Sequence, residues 1–372
     1  MQVDFDKLES ALVALPSHYN FELLKTINHI SKLKCNRVVL QFPEGLLLYG
    51  QTISQIIEDF ANVECCILGD VTYGACCIED VKSKEIGADL LIHYGHSCLV
   101  PIQDTVCKVL YIFVTININN EHLIESILSN FENNQRYALM GTVQFMNAVH
   151  AAYTKLKDIG YDVILPQSRP LSKGEVLGCT SPKLDNCSVI FIADGRFHLE
   201  SVMINNPDLL YYRYDPFTQI ITHEIYEMDK MKKLREFAMR KAKLSKTWGI
   251  IQGTLGRQGN PVVVDELRKK CSESGITTKL FMMSEINMAE LIKCEIEAFV
   301  QISCPRLSID WAHESEIPLL NTYEAYMVLN NEFTISEYPM DFYAHESKGP
   351  WSIGYFNQPK RRKHLMLSKS EK

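Results

Sequence analysis

No stretch of the sequence approaches the ~20 consecutive apolar residues that cross a bilayer, so no membrane-spanning helix is expected. The first residues, MQVDFDKLES, lack the basic start and apolar core of a secretory signal, which predicts a cytoplasmic chain. Positive charge is in deficit: 38 Lys and Arg stand against 45 Asp and Glu, a formal net charge of -7. A general nucleic-acid binder carries a basic footprint, so no direct nucleic-acid function is expected. The chain is not poor in hydrophobic residues. At 46% hydrophobic and 22% charged it can bury substantial cores and does not fit the composition of a disordered chain. At ~100–200 residues per domain, two or three domains are expected. GxSxG, HExxH and protein-kinase signatures are all missing, which removes several common enzyme classes.

Cysteine is plentiful, with 12 in the chain. A chain this long needs no disulfide framework, so these are thiols, metal ligands or small buried hydrophobes. Short CxxC and CxxxCxxC runs are absent, which excludes the usual ferredoxin-like and zinc-ribbon spacings. Cys65 and Cys66 lie in an apolar strand pattern, Cys187 at a strand start, and Cys271 and Cys294 on helical patterns. All five are expected in cores. Cys77, beside Cys76, and Cys98, after the turn HYGHS, stay undecided between core and ligand.

Three segments share one plan of strand, helix, strand and final apolar strand. The first runs RVVLQF (37–42), a helix near 47–61, VECCILGD (63–70) and ADLLIHYGH (88–96). The second runs RYALMGT (136–142), a helix through 149–160, YDVILP (161–166) and CSVIFIADG (187–195). The third runs TWGIIQGT (247–254), a helix through 262–275, ITTKLFMM (276–283) and IEAFVQISC (296–304). Near-continuous apolar runs mark strands covered on both faces, and alternation with helices implies parallel βαβ units. The expected fold is α/β, with three homologous domains, each a mainly parallel sheet flanked by helices, around a central site. Their spans are 1–132, 133–243 and 244–357, with a basic tail over 358–372 that contains Lys360, Arg361, Arg362 and Lys363. The charged stretch EIYEMDKMKKLREFAMRKAKL (224–244) reads as a linking helix with a solvated or interdomain face. The tail reads as a flexible end, with an import or RNA patch as the alternative.

One cysteine per repeat occupies a turn-like place. Cys76 comes after a strand in GDVTYGACCIED (69–80), Cys179 precedes one in LGCTSP (177–182), and Cys304 ends one in ISCPRLSID (302–310). Open α/β sheets place ligands outside the carboxyl ends of their strands, so three such domains about an axis can aim three thiolates at one point. Three thiolates leave one position open on a 4Fe–4S cluster. Ordinary buried thiols remain the alternative on spacing alone. GTLGRQGNP (253–261) opens a helix after a strand, and Gly253, Gly256 and Gly259 allow backbone N–H groups to approach an anionic group there. It is neither GxGxxG nor a Walker loop. QFPEGLL (41–47) and GTVQFMN (141–147) hold matching places in the other repeats. His93 and His96 read as a structural pair, because no zinc-like ligand spacing surrounds them beyond Cys98.

On the motifs GDVTYGACCIED, LGCTSP and ISCPRLSID, the chain resembles the eukaryotic diphthamide-synthesis proteins, and their catalytic rather than their partner branch. LPSHYNFELLKTI (15–27), QFPEGLL, ADLLIHYGHSCLVP (88–101), ADGRFHLES (193–201), GRQGN (256–260) and YPMDFYAHESKGPW (338–351) carry the same resemblance, so it covers nearly the whole chain. WAHESEIP, after LSID, departs from it where a glycine is expected after the tryptophan.

The resemblance implies a 4Fe–4S cluster held by Cys76, Cys179 and Cys304, with S-adenosylmethionine at the open iron. It implies an unconventional radical transferase that moves a 3-amino-3-carboxypropyl group to imidazole C2 of one histidine in elongation factor 2, the first step to diphthamide. Imidazole carbon is a poor nucleophile, which favours a radical over a polar route. The implied partners are a related second subunit in a heterodimer, an electron-donor protein, and elongation factor 2 as substrate. Alternatives are a non-catalytic iron–sulfur subunit of such a complex, and a zinc- or nucleotide-binding scaffold. For the S-adenosylmethionine contacts, Arg306 is expected to fork onto the carboxylate, with an ion pair to Asp310 as its alternative. Gln258, Gly256 and Gly259 are expected to receive the methionine end, with a simple turn as theirs.

Overall fold

A computed structural model describes residues 5–70, 72–311 and 315–357; the basic segment 358–372 lies outside the described residues. The chain divides into two compact units. Unit one takes residues 1–131, 142–160 and 216–219, and unit two takes 132–141, 161–215 and 220–372. Among the described residues no helix is long and apolar enough to cross a membrane.

Unit one is built on a parallel sheet in the order Glu64–Leu68, Arg37–Gln41, Leu90–Tyr94, Lys108–Ile112. Side chains alternate across a strand, and here both faces are buried. Val38, Leu40, Leu90 and Ile92 pack with Ile27 and Ile30 of helix Leu23–Leu33 and with Ile53 and Ile57 of helix Gly50–Ala61. Val39, Leu91 and Val109 pack on the other side with Ile78 and Cys107. Two covered faces are the reason RVVL and LLI carry no polar alternation. A short antiparallel pairing joins Tyr19–Asn20 to Thr115–Ile116.

Unit two holds two sheets. The first runs Ile220–Glu224, Tyr211–Asp215, Ser188–Ile192, Tyr137–Gly141, Val163–Ile164. All its pairings are parallel except the edge hairpin of Tyr211–Asp215 with Ile220–Glu224. The stretch expected as a strand at 161–166 forms only the two residues Val163–Ile164. The second sheet, wholly parallel, runs Thr277–Met283, Thr247–Gly253, Ala298–Ile302, Leu319–Asn321. Ile250 and Val300 face helix Pro261–Glu273 through Val263, Val264 and Leu267, while Ile251 and Phe299 face Leu291 and Ile296. The expected α/β class, with mainly parallel sheets flanked by helices, is the observed one.

The charged helix is Met228–Lys243, and the residues just before it are the edge strand. Its charged face is solvated, as expected, with Lys230, Lys233 and Lys241 exposed, but its other face is not that of a free linker. Met231, Ala238, Met239 and Ala242 enter the core of the second sheet, so by packing the helix belongs with that sheet. Arg235 lies on that buried stripe at 1% exposure, against Glu324 at 0%. Two hydrogen bonds of 2.7 Å fork between them, and Nη2 also donates to the Leu319 carbonyl. The same Glu324 completes the capping box of helix Thr322–Leu329 with Asn321 and accepts from the Tyr338 hydroxyl.

Candidate functional site

Cys179 sits at the crest of a tight turn in unit two. Leu177 and Thr180 exchange backbone hydrogen bonds of 3.0 and 3.3 Å across it. Ser201, on helix Phe197–Asn205, donates to the Leu177 carbonyl, and Asn205 donates to the carbonyl of Ser181. From the far end of the chain, the Ser181 N–H donates to Met340 and the Phe342 N–H donates to the Cys179 carbonyl. The segment 338–343 therefore holds the cysteine turn as a short pairing strand would. Cys304 lies just past strand Ala298–Ile302. Its carbonyl accepts from the Leu307 N–H, which starts the turn Leu307–Trp311.

Both turns lie in unit two, and the Cys304 charge is felt at Cys179. Burial first, and the Cys304 charge second, push the Cys179 thiol up to about 12, against smaller opposing effects from the Thr180 hydroxyl and Arg306. The Thr180 Oγ1 donates to Sγ at 3.8 Å. Burial thus disfavours the free thiolate at Cys179.

Arg306 is 3% exposed, and each of its nitrogens has a protein partner. Nε donates to Asp310, at 2.9 Å to Oδ2; Nη1 donates to the Phe197 carbonyl at 2.8 Å; Nη2 donates to Glu200. The guanidinium also stands 4.3 Å from the Phe197 ring centroid. Burial alone lowers its pKa, but Asp310 and Glu200 outweigh that and raise it. The Asp310 pairing expected as the alternative is therefore present, and Glu200 joins it without any signal in the sequence. A substrate carboxylate would have to displace one of these partners. The Phe197 ring lies against Gly178, where an added Cβ would come within 2.2 Å of it. His198, next in the helix, is lowered to about 4 by burial and by Arg306, and its Nδ1 has no hydrogen-bond partner.

The GRQGN turn comes after strand Thr247–Gly253. Gly256 has φ 56°, and a Cβ on Gly259 would stand 2.2 Å from the Gly253 carbonyl oxygen. Both glycines thus have a backbone reason. Asn260 caps helix Pro261–Glu273, accepting from Val262 and Val263. The Gln258 carbonyl accepts from the Tyr343 hydroxyl at 3.3 Å. A narrow cleft, with a cavity volume of about 30 Å³ and open to solvent, is shared by Gln258, Asn260, Ser303, Pro305, Tyr343 and Trp351. The structure thus brings Gln258 to one cleft with the residues flanking Cys304, while Arg306 turns toward helix Phe197–Asn205.

In unit one, half-buried Cys76 lies in the turn Ala75–Cys77, beyond strand Glu64–Leu68. His93 and His96, expected as a structural pair, have ring centroids 5.1 Å apart. His93 is fully buried, with Nδ1 on the Gln41 amide oxygen, and burial holds its pKa well below the usual value. Of the other cysteines, Cys77 and Cys271 are buried as core residues, and Cys65 and Cys66 are only half-buried because their strand is a sheet edge. Cys294, expected on a buried helical face, is exposed: the helix stops at Leu291 and Cys294 ends a short turn. None of the twelve forms a disulfide. Among the described residues no three His, Cys, Asp or Glu side chains stand together as a ready metal site.

Residues 42–339 match the diphthamide synthesis protein family. The chain belongs to that family. It is 48% identical over 356 residues to 2-(3-amino-3-carboxypropyl)histidine synthase subunit 1 of Candida albicans, covering 93% of this chain and 84% of the relative. It is 45% identical over 354 residues to the human protein of the same name, covering 94% and 81%. Among solved structures, Dph2 from Pyrococcus horikoshii with a 4Fe–4S cluster superposes with a TM-score of 0.74, covering 90% of this chain and 97% of that one. At 24% identity this similarity is one of fold.

Proposed function

We propose that the chain is the catalytic subunit of a transferase. It attaches the 3-amino-3-carboxypropyl group of S-adenosylmethionine to imidazole C2 of one histidine in elongation factor 2, the first step of diphthamide synthesis. Family membership and the names of relatives at 45–48% identity support the reaction class. The observation that carries the site is the Cys179–Cys304 pair. These are two turn-borne, half-buried thiols, and the Cys304 charge adds to burial in raising the Cys179 pKa, which suits ligands of a shared soft cation. Cys76 is the proposed third ligand. A 4Fe–4S cluster on these thiolates, with S-adenosylmethionine bound, would supply the electron that breaks the bond from the sulfonium to the methionine γ-carbon.

The chain's own residues bind, orient and exclude water. Met340 and Phe342 pin the Cys179 turn, and the Thr180 hydroxyl supports its sulfur. Gln258, Gly256 and Gly259 form the proposed seat of the methionine end, because the Gln258 turn and the Cys304 flank line one cleft. Arg306 acts there by holding the Cys179 side in place, and meets a carboxylate only if Asp310 or Glu200 yields. A related second subunit and an electron-donor protein are the proposed partners. Iron and acid-labile sulfide after anaerobic reconstitution test the site. Cys76→Ala, Cys179→Ala and Cys304→Ala should each lose most of the iron, while Cys66→Ala and Cys271→Ala keep it. Full iron in Cys179→Ala would overturn the assignment.

A further inference from the structure

Two glutamines interrupt otherwise apolar strands, Gln41 in RVVLQF and Gln301 in EAFVQISC. Each is 1% exposed. An apolar residue would suit such a position better, since a buried amide costs free energy unless its hydrogen bonds are made. Both amides make them all. A primary amide has two N–H donors and two acceptor positions. Gln41 Nε2 donates to the Cys77 carbonyl at 2.8 Å and to Thr72 Oγ1 at 3.2 Å. Its Oε1 accepts from the Glu79 N–H at 3.2 Å and faces His93 Nδ1 at 2.8 Å, which places the imidazole proton on Nδ1. Gln301 Nε2 donates to the Cys304 carbonyl at 2.8 Å and to Ser308 Oγ at 3.0 Å. Its Oε1 accepts from the N–H and hydroxyl of Ser303 at 2.9 and 2.6 Å.

We propose that Gln41 and Gln301 are positioning residues, each locking the backbone of a cysteine-bearing turn through a saturated side-chain amide and so setting the direction of the Cys76 and Cys304 thiols. The proposal rests on the reading of those thiols as ligands. In each case the amide grips a carbonyl at or next to the cysteine and an N–H close by in the same turn. Turning the amide over would set oxygen against oxygen, so the grip has one orientation. A ligand on a turn gains precision only from such supporting contacts.

The test uses the full chain with Gln301→Glu, which keeps the shape and sets an oxygen against the Cys304 carbonyl, and with Gln301→Asn, which is shorter by one methylene and cannot span both partners. Gln41→Asn is the counterpart for the Cys76 turn. The first measurement is hydrogen–deuterium exchange of the metal-free chain. Exchange across 302–308 should quicken about tenfold or more in both Gln301 variants, and across 74–80 in the Gln41 variant, with strand Thr247–Gly253 unchanged. The second is the electron paramagnetic resonance spectrum of the reconstituted, reduced chain, compared at equal iron content, where shifted g-values are expected. Unchanged turn exchange, or faster exchange with the parent spectrum and parent iron content, overturns the positioning role. Cys304→Ala is run alongside: if it retains full iron, the ligand reading has failed, while the exchange result still judges the grip.

Discussion

Arg306 gathers several partners around one buried side chain of the second unit. Its partners are Asp310 four residues on and Glu200 more than a hundred residues back, with Phe197 giving both a carbonyl and a ring face. Removing one member of a buried ion network leaves uncompensated charge, which typically costs ~3–5 kcal/mol. Arg306→Ala should lose that much in denaturant unfolding, and Arg306→Lys should lose less, because it keeps the charge and gives up the fork and the stacking. A loss within about 1 kcal/mol for Arg306→Ala, the level of exposed pairs, would contradict the network. His198 makes a separate prediction. Its folded pKa of about 4 lies below the ordinary histidine value of 6.5, so between those values the unfolded chain binds the extra proton. Stability should therefore be unaffected above pH ~6.5 and should fall as the pH drops toward 4, by at most roughly 3 kcal/mol from this group at ~1.4 kcal/mol per unit. His93 adds to the same slope, its pKa being lowered too. His198→Asn should flatten part of the fall in a pH series of thermal melts; an unchanged slope would rule His198 out as its source.

Helix Met228–Lys243 shows where sequence reading stops. Its solvated charges are real: Lys230, Lys233 and Lys241 are exposed. Arg235, however, falls on the same stripe as Met231, Ala238, Met239 and Ala242, and its partner Glu324 is 89 residues away. Periodicity shows which face a residue takes but not what distant group awaits it. Glu324→Ala should cost ~3–5 kcal/mol by stranding Arg235. A change below about 1 kcal/mol in urea unfolding would mean that water reaches the arginine. The central strands are legible because both faces are covered and the apolar runs are unbroken. The edge hairpin Tyr211–Asp215 with Ile220–Glu224 carries a fainter signal, a Pro216 turn between alternating side chains, and does not stand out from the sequence. Cys76, Cys179 and Cys304 are legible as turn residues. The pairing of 340–343 with the Cys179 turn joins chain segments about 160 residues apart, and no local pattern announces it.

At the scale of the whole molecule, the mainly parallel α/β architecture and the family are established by topology and by similarity along almost the full chain. The proposed activity rests on Cys76, Cys179 and Cys304 as ligands and on elongation factor 2 as the proposed substrate. The most direct measurement is label transfer. The reduced, anaerobically reconstituted chain is incubated with the proposed second subunit, elongation factor 2 and S-adenosylmethionine labelled in the carboxypropyl carbons. The account predicts label on C2 of one elongation factor 2 histidine, matched by methylthioadenosine, and none when Cys179→Ala replaces the parent chain. Transfer undiminished by Cys179→Ala, or no transfer from a chain holding its full iron, would contradict it.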